Sequence, residues 1–271
     1  MPGDFYQALW MFVLYSFIGW CVEVIFVGLN KGYFVNRGFL NGPYCPIYGC
    51  GMLIVICLLT PLKDNLLMLF IGSLVLTTIL EYITGLILEK VFDNKWWDYS
   101  ELPFNIQGYV CLKFSVLWGL GCTFIMNVVH PLIYKGIRWI PKMIGIIILV
   151  IILLGFLVDV GVTVNTVLNF NRKLKKLDNL ALAIHKLSDE IGEDIFEKAF
   201  AVAGKSMELQ AGWKDKIAKR DSLKEEYKQL LEKRHFGFRR LTKAFPGMKS
   251  RKWNESLQRY KEYLETRKKD T

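Results

Sequence analysis

The chain has 271 residues, 52% of them hydrophobic and 22% charged, with a formal net charge of +10 and a mean hydropathy of +0.26. The charge is unevenly placed: residues 1–170 hold nine Lys/Arg and nine Asp/Glu, so the whole excess lies in 171–271. An apolar, neutral first part joined to a basic second part excludes a soluble enzyme, a secreted disulfide scaffold and a disordered chain, and points to a polytopic membrane protein.

A bilayer core of about 30 Å takes roughly 20 apolar residues in helical form. Five stretches are candidates: Phe5–Leu29, Ile47–Leu62, Leu66–Glu89, Leu112–Tyr134 and Met143–Leu168. The expected fold is therefore an all-α membrane bundle of about five helices over 1–170, followed by a basic helical tail over 171–271. The first stretch lacks a basic leader and a small-residue cleavage site, so it reads as a retained helix. The second is short and carries Gly49 and Gly51, which fits either a tilted span or a half-span.

Between the first two stretches lies Arg37-Gly-Phe-Leu-Asn-Gly-Pro-Tyr-Cys-Pro-Ile-Tyr-Gly-Cys-Gly51. Its four glycines and two prolines preclude a regular helix. A second irregular loop, Asp93–Gly108, follows the third stretch. Trp96, Trp97 and Tyr99 suit interface depth, and Asp98, Asn105 and Gln107 suit ligand or backbone contacts.

Four acids sit in or at the edges of the spans: Glu23, Glu81, Glu89 and Asp159, the last near the middle of the fifth. An ionised carboxylate at the bilayer centre costs about 3 kcal/mol on insertion scales, so such groups face the bundle interior or a wet cavity. Glu81 and Glu89 are eight residues apart, about 80° around a helix, and fit one side of a cavity at two depths. Either these acids pair structurally with Arg37, Lys113 or backbone donors, or they line a polar cavity for a solute or headgroup. The candidate binding set is Glu23, Arg37, Asn41, Glu81, Glu89, Trp97, Asp98, Tyr99, Asn105, Gln107 and Asp159.

Arg172, Lys173, Lys175 and Lys176 follow the last span and place the tail in the cytoplasm. Five crossings then put the N-terminus outside and both irregular loops on the cytoplasmic face. Lys135, Arg138 and Lys142 in the loop before the last span run against this assignment. The six cysteines lack zinc spacing and read as apolar filler, and no metal or cofactor is expected.

The two loops also carry a resemblance. Arg37-Gly-Phe-Leu-Asn-Gly-Pro43 with Pro46-Ile-Tyr-Gly49, then Glu81-Tyr82 and Glu89, then Trp97-Asp-Tyr-Ser100 with Asn105-Ile-Gln-Gly108, resemble the family described as putative ABC-transporter type IV, or putative ABC transporter permease, of Gram-positive bacteria. The likeness extends over most of 5–170, and Phe245–Ser250 is similar to tails in that family. In the family pattern Arg follows the last glycine, where this chain has Tyr109, so the second motif lacks that cation. The resemblance implies a multi-pass transport component of a bacterial cell membrane, with the ATPase on another chain.

The tail reads as four helical pieces. Leu174, Leu177, Ala181, Ile184 and Leu187 mark the first, and Trp213, Ile217, Tyr227, Leu230 and Leu231 the second. Phe236, Phe238, Leu241 and Phe245 mark a third, closed at Pro246-Gly247. Trp253, Leu257, Tyr260 and Leu264 mark the last. Lying on anionic lipid, self-association and docking to a partner all fit such a tail; nucleic acid is not expected. Ala199–Ser206 matches a loose nucleotide-loop pattern, but an acidic helical stretch precedes it instead of a strand, so nucleotide binding is not expected here. A transporter permease subunit, an intramembrane lipid-modifying enzyme and a membrane organiser acting through its tail are the three readings. The absence of any catalytic pattern weighs against the enzyme.

Overall fold

The computed structural model describes residues 2–200, 206–233 and 235–269, and for 195–200, 206–213 and 268–269 the backbone alone. The chain is 79% helical. Among the described residues four helices are long and apolar enough to cross a membrane: Phe5–Lys31, Leu66–Phe92, Leu112–Trp139 and Lys142–Asp194. The second of the five expected stretches is a shorter apolar helix, Pro46–Leu62.

Helix α1 (Phe5–Lys31) starts because the Asp4 side chain accepts from Gln7 N at 2.9 Å while Gln7 Oε1 accepts from Gly3 N at 2.8 Å. This reciprocal arrangement satisfies amides that have no partner within the helix. It ends at Gly32, whose φ of 72° lets its amide turn back to Gly28 O at 2.8 Å. Helix α2 (Pro46–Leu59) begins at Pro46 with a 3₁₀ turn, Thr60–Leu62, at its far end. It does not start level with the end of α1. Cys45 N donates to Ser16 O at 2.9 Å, so irregular chain descends to roughly midway along α1 before α2 begins. The expected half-span or tilted span thus has a physical form: a half-helix preceded by a loop that reaches into the bundle. Non-helical backbone is tolerated at such depth only where protein or water covers it.

Gly49 makes the α1–α2 approach close. A Cβ there would meet Ser16 Oγ and would stand 2.5 Å from Phe12 O. Helix α3 (Leu66–Phe92) is capped by Asn65, which accepts from Met68 N at 3.1 Å. Helix α4 (Leu112–Phe124) widens into a π-helical turn, Ile125–Val129, before α5 (His130–Trp139). Pro131 explains the widening: it has no amide for Asn127 O and its ring crowds that carbonyl. At the α5 junction the buried pair Tyr15 Oη and His130 Nδ1 lie 3.0 Å apart. The core at the end of the bundle remote from the loops joins Met11, Tyr15, Val55, Ile56, Leu69 and Met126, all nearly or fully buried. Large apolar residues such as Ile25, Ile71, Ile79, Ile83 and Leu154 are exposed, as lipid-facing positions would be.

Short strands organise the second loop. β1 (Asn94–Lys95) pairs with β4 (Lys249–Ser250), and β2 (Asn105–Ile106) forms a hairpin with β3 (Val110–Cys111). The hairpin turn has Gln107 and Gly108 at φ of 52° and 69°, the type I′ geometry in which glycine costs least.

Helix α6 runs Lys142–Phe200, α7 Ser206–Glu232, α8 Phe236–Ala244 and α9 Asn254–Lys269. The chain divides into two compact units, Met1–Val167 with Arg240–Arg251, and Leu168–Arg239 with Lys252–Thr271. Residues 240–251, which belong to the tail in sequence, pack within the first unit. In the second, Phe170, Leu174, Leu177 and Leu257 are fully buried. There Lys173 Nζ donates to Lys233 O at 3.1 Å, beyond the end of α7, and sits 4.4 Å from the Tyr260 ring centroid. Its charge suits the negative end of that helix. The centre of the nucleotide-loop-like stretch, 201–205, lies outside the described residues.

Candidate functional site

The loop end of the first unit encloses a cavity of about 310 Å³. It lies beside the first two turns of α2, where Pro46, Tyr48 and Met52 line it, and is walled further by α1, α3, α4 and the two loops. Glu23 enters from α1, Arg37 from the first loop and Glu81 from α3; Trp97 and Tyr99 come from the second loop. The remaining lining is mostly apolar and aromatic, with Thr77 and Thr84 as further polar groups.

The polar contacts are sparse and directional. Tyr48 Oη donates to Glu23 Oε1 at 2.6 Å, and Arg37 Nε approaches Glu23 Oε2 at 3.4 Å. Arg37 Nη1 also donates to Ala244 O at 2.7 Å. Tyr99 Oη donates to Glu81 Oε1 at 3.3 Å, while Glu81 Oε2 is buried with no hydrogen-bond partner. Trp118 packs edge-on against Tyr48, with ring centroids 5.4 Å apart.

Five members of the candidate set, Glu23, Arg37, Glu81, Trp97 and Tyr99, therefore meet at one cavity. The other six have their own partners. Glu89 accepts from Tyr109 Oη at 2.8 Å, and burial, helped by that bond, raises the Tyr109 pKa to about 12. Asp159 accepts from Asn41 N at 3.1 Å, Gly42 N at 2.6 Å and Asn41 Nδ2 at 2.8 Å. Asn41 and Asp159 thus clamp the first loop to α6, away from the cavity lining. Asn105 shapes the hairpin: Oδ1 accepts from Gly108 N at 3.1 Å and Nδ2 donates to Leu102 O at 2.7 Å. Gln107 Oε1 accepts from Tyr82 Oη at 3.0 Å.

Asp98 is a junction. It accepts from Lys95 Nζ at 2.9 Å, Lys249 Nζ at 2.6 Å and Ser100 Oγ at 2.5 Å. Burial alone would raise its carboxyl, but the bonds from Lys249, Ser100 and Lys95 outweigh it and hold the pKa well below the usual carboxylate range. A depressed folded-state value means that the contribution to stability is fully present above the unfolded value of about 3.9 and disappears as pH falls through the folded one. The thermal-stability gap between the unaltered protein and Asp98→Asn should thus be constant from pH 8 to 5 and close at lower pH; a gap that narrows in the neutral range would contradict this pairing.

Sequence reasoning missed Tyr48, Thr84, Trp118 and Phe245 as lining residues. Thr84 and Trp118 look like ordinary span residues, while Tyr48 stood in the first loop's Pro46–Gly49 motif. Phe245 stood in a noticed Phe-Pro-Gly stretch, but nothing local indicates that it packs on Trp96, with centroids 5.2 Å apart.

A family model described as "Putative ABC-transporter type IV" matches residues 10–164, more than half of the chain. The chain belongs to this family. It is a transporter-type membrane protein, and the matched range contains every cavity residue named above except Phe245. No solved structure matches the chain.

Proposed function

We propose that this family member is the permease component of an ATP-driven transporter, and that the cavity between helices α1 to α4 and the two loops receives the solute or lipid headgroup it moves. The observation that carries the reading is the convergence of Glu23, Arg37 and Glu81, from three separate elements, on one hollow among otherwise apolar helices. Charged groups within a membrane bundle are expensive and typically mark a substrate or ion path. The irregular first loop, deep in the bundle beside this hollow, is the part best suited to rearrange when the site opens.

On this reading the chain performs no chemistry itself, and ATP is hydrolysed by a separate subunit at the cytoplasmic face. The basic residues 172–176, within α6 just past its apolar stretch, support a cytoplasmic tail, and the two irregular loops then face the same compartment. Mild-detergent purification from the native membrane should recover one stoichiometric second chain with a nucleotide-binding loop, and ATPase activity in the complex. Recovery of this chain alone, with no ATP-dependent solute flux in vesicles, would overturn the ATP-linked role.

A further inference from the structure

We infer that the cavity recognises the ammonium group of a hydrophobic amine, a conclusion that rests on its being the ligand site. Glu81 Oε2 is a buried acceptor with no donor, and Oε1 has only the Tyr99 hydroxyl at 3.3 Å. The cation of the lining is committed elsewhere: Arg37 spans Glu23 Oε2 and Ala244 O. The cavity thus holds two carboxyls against one guanidinium, and the Glu81 carboxyl has no positive partner there. A ligand N–H⁺ supplies both missing elements, a donor for Oε2 and a charge.

The walls specify the rest of the ligand. Phe39 and Trp96 pack edge-on with centroids 4.9 Å apart, and Tyr48 and Trp118 do so at 5.4 Å. Trp97 completes an aromatic lining whose ring faces attract a cation once water is excluded. An anion would meet Glu23 and Glu81. A small metal ion needs about six oxygen ligands, more than this lining presents, and would leave the apolar walls unfilled. An ammonium group on an apolar body matches both halves of the site.

The full-length protein in detergent, titrated with 2-phenylethylammonium and with uncharged 2-phenylethanol, tests this through the change in tryptophan fluorescence, three of its eight tryptophans, Trp96, Trp97 and Trp118, lining the cavity. The amine should bind at least about tenfold more tightly than the alcohol, a gap of about 1.4 kcal/mol. Glu81→Gln should abolish that preference. Equal binding of amine and alcohol to the unaltered protein overturns the inference without requiring any variant to fold, and so does a preference that survives Glu81→Gln. Displacement of the amine by dihexanoylphosphatidylethanolamine would assign the ammonium to a lipid headgroup, and failure to displace it to a free amine; both keep the ligand class. Selective binding without amine flux in vesicles would leave the ligand class standing and remove the transport reading. Flux of another solute that depends on Glu81, with amine and alcohol bound alike, would do the reverse.

Discussion

Glu81→Gln is expected to abolish solute flux in vesicles while the bundle remains folded. Glutamine has nearly the shape of glutamate and keeps an oxygen for the Tyr99 hydroxyl, now 3.3 Å from Oε1. Because no cation pairs with Oε2, the substitution strands no opposite charge in the bundle. Thermal stability should therefore change by no more than about 1 kcal/mol, the net worth of an ordinary hydrogen bond. Flux is different, since a cavity that moves a solute needs a group whose interaction changes as the solute arrives and leaves. The measurement is the solute content of vesicles before and after ATP addition, by mass spectrometry, with a melting curve on the same preparation. Unchanged flux would remove Glu81 from the transport path.

The second large effect is expected at Arg240, far outside the family match. Its guanidinium donates to three successive carbonyls of the first loop: Gly38 O at 2.9 Å, Leu40 O at 3.0 Å and Phe39 O at 2.8 Å. The segment it begins is fastened along its length: Arg37 to Ala244 O, Phe245 on Trp96, Lys249 on Asp98, and Arg251 N to Asp93 O at 2.8 Å. This strap closes the wall of the cavity with Phe245. Arg240→Ala should cost about 2–4 kcal/mol, because bonds from a charged donor exceed neutral ones and three part-buried carbonyls lose their partner together. Arg240→Lys should recover little, since a single ammonium cannot reproduce a planar fork. Limited proteolysis checks this: cleavage within 240–251 should accelerate in both variants relative to the unaltered protein. Equal resistance would show that the strap is held without Arg240.

The membrane class, the long apolar helices and the two irregular loops were legible because they depend on composition and on local backbone preference. Span length needs only a count of apolar residues, and Gly/Pro punctuation acts on its own neighbours. Even the shortness of α2 left a trace in Gly49 and Gly51. The partition of the acids did not show. Glu81 and Glu89 lie on one side of α3, but eight residues of rise carry Glu89 about 12 Å further, where Tyr109 meets it. Asp159 is taken by a different element again: the first loop folds down so that the Asn41 and Gly42 amides donate to its carboxylate.

Composition and periodicity settled which solvent each part of this chain prefers, because transfer into lipid is a property of a segment by itself. Which carboxyls share a hollow was decided only by the fold, since helices apolar on every side carry no mark of the face that turns inward. The strap at 240–251 is the extreme case. It is joined to the first loop by contacts about 200 residues apart in sequence, and closure over such a distance is fixed by the assembled bundle and by no local signal.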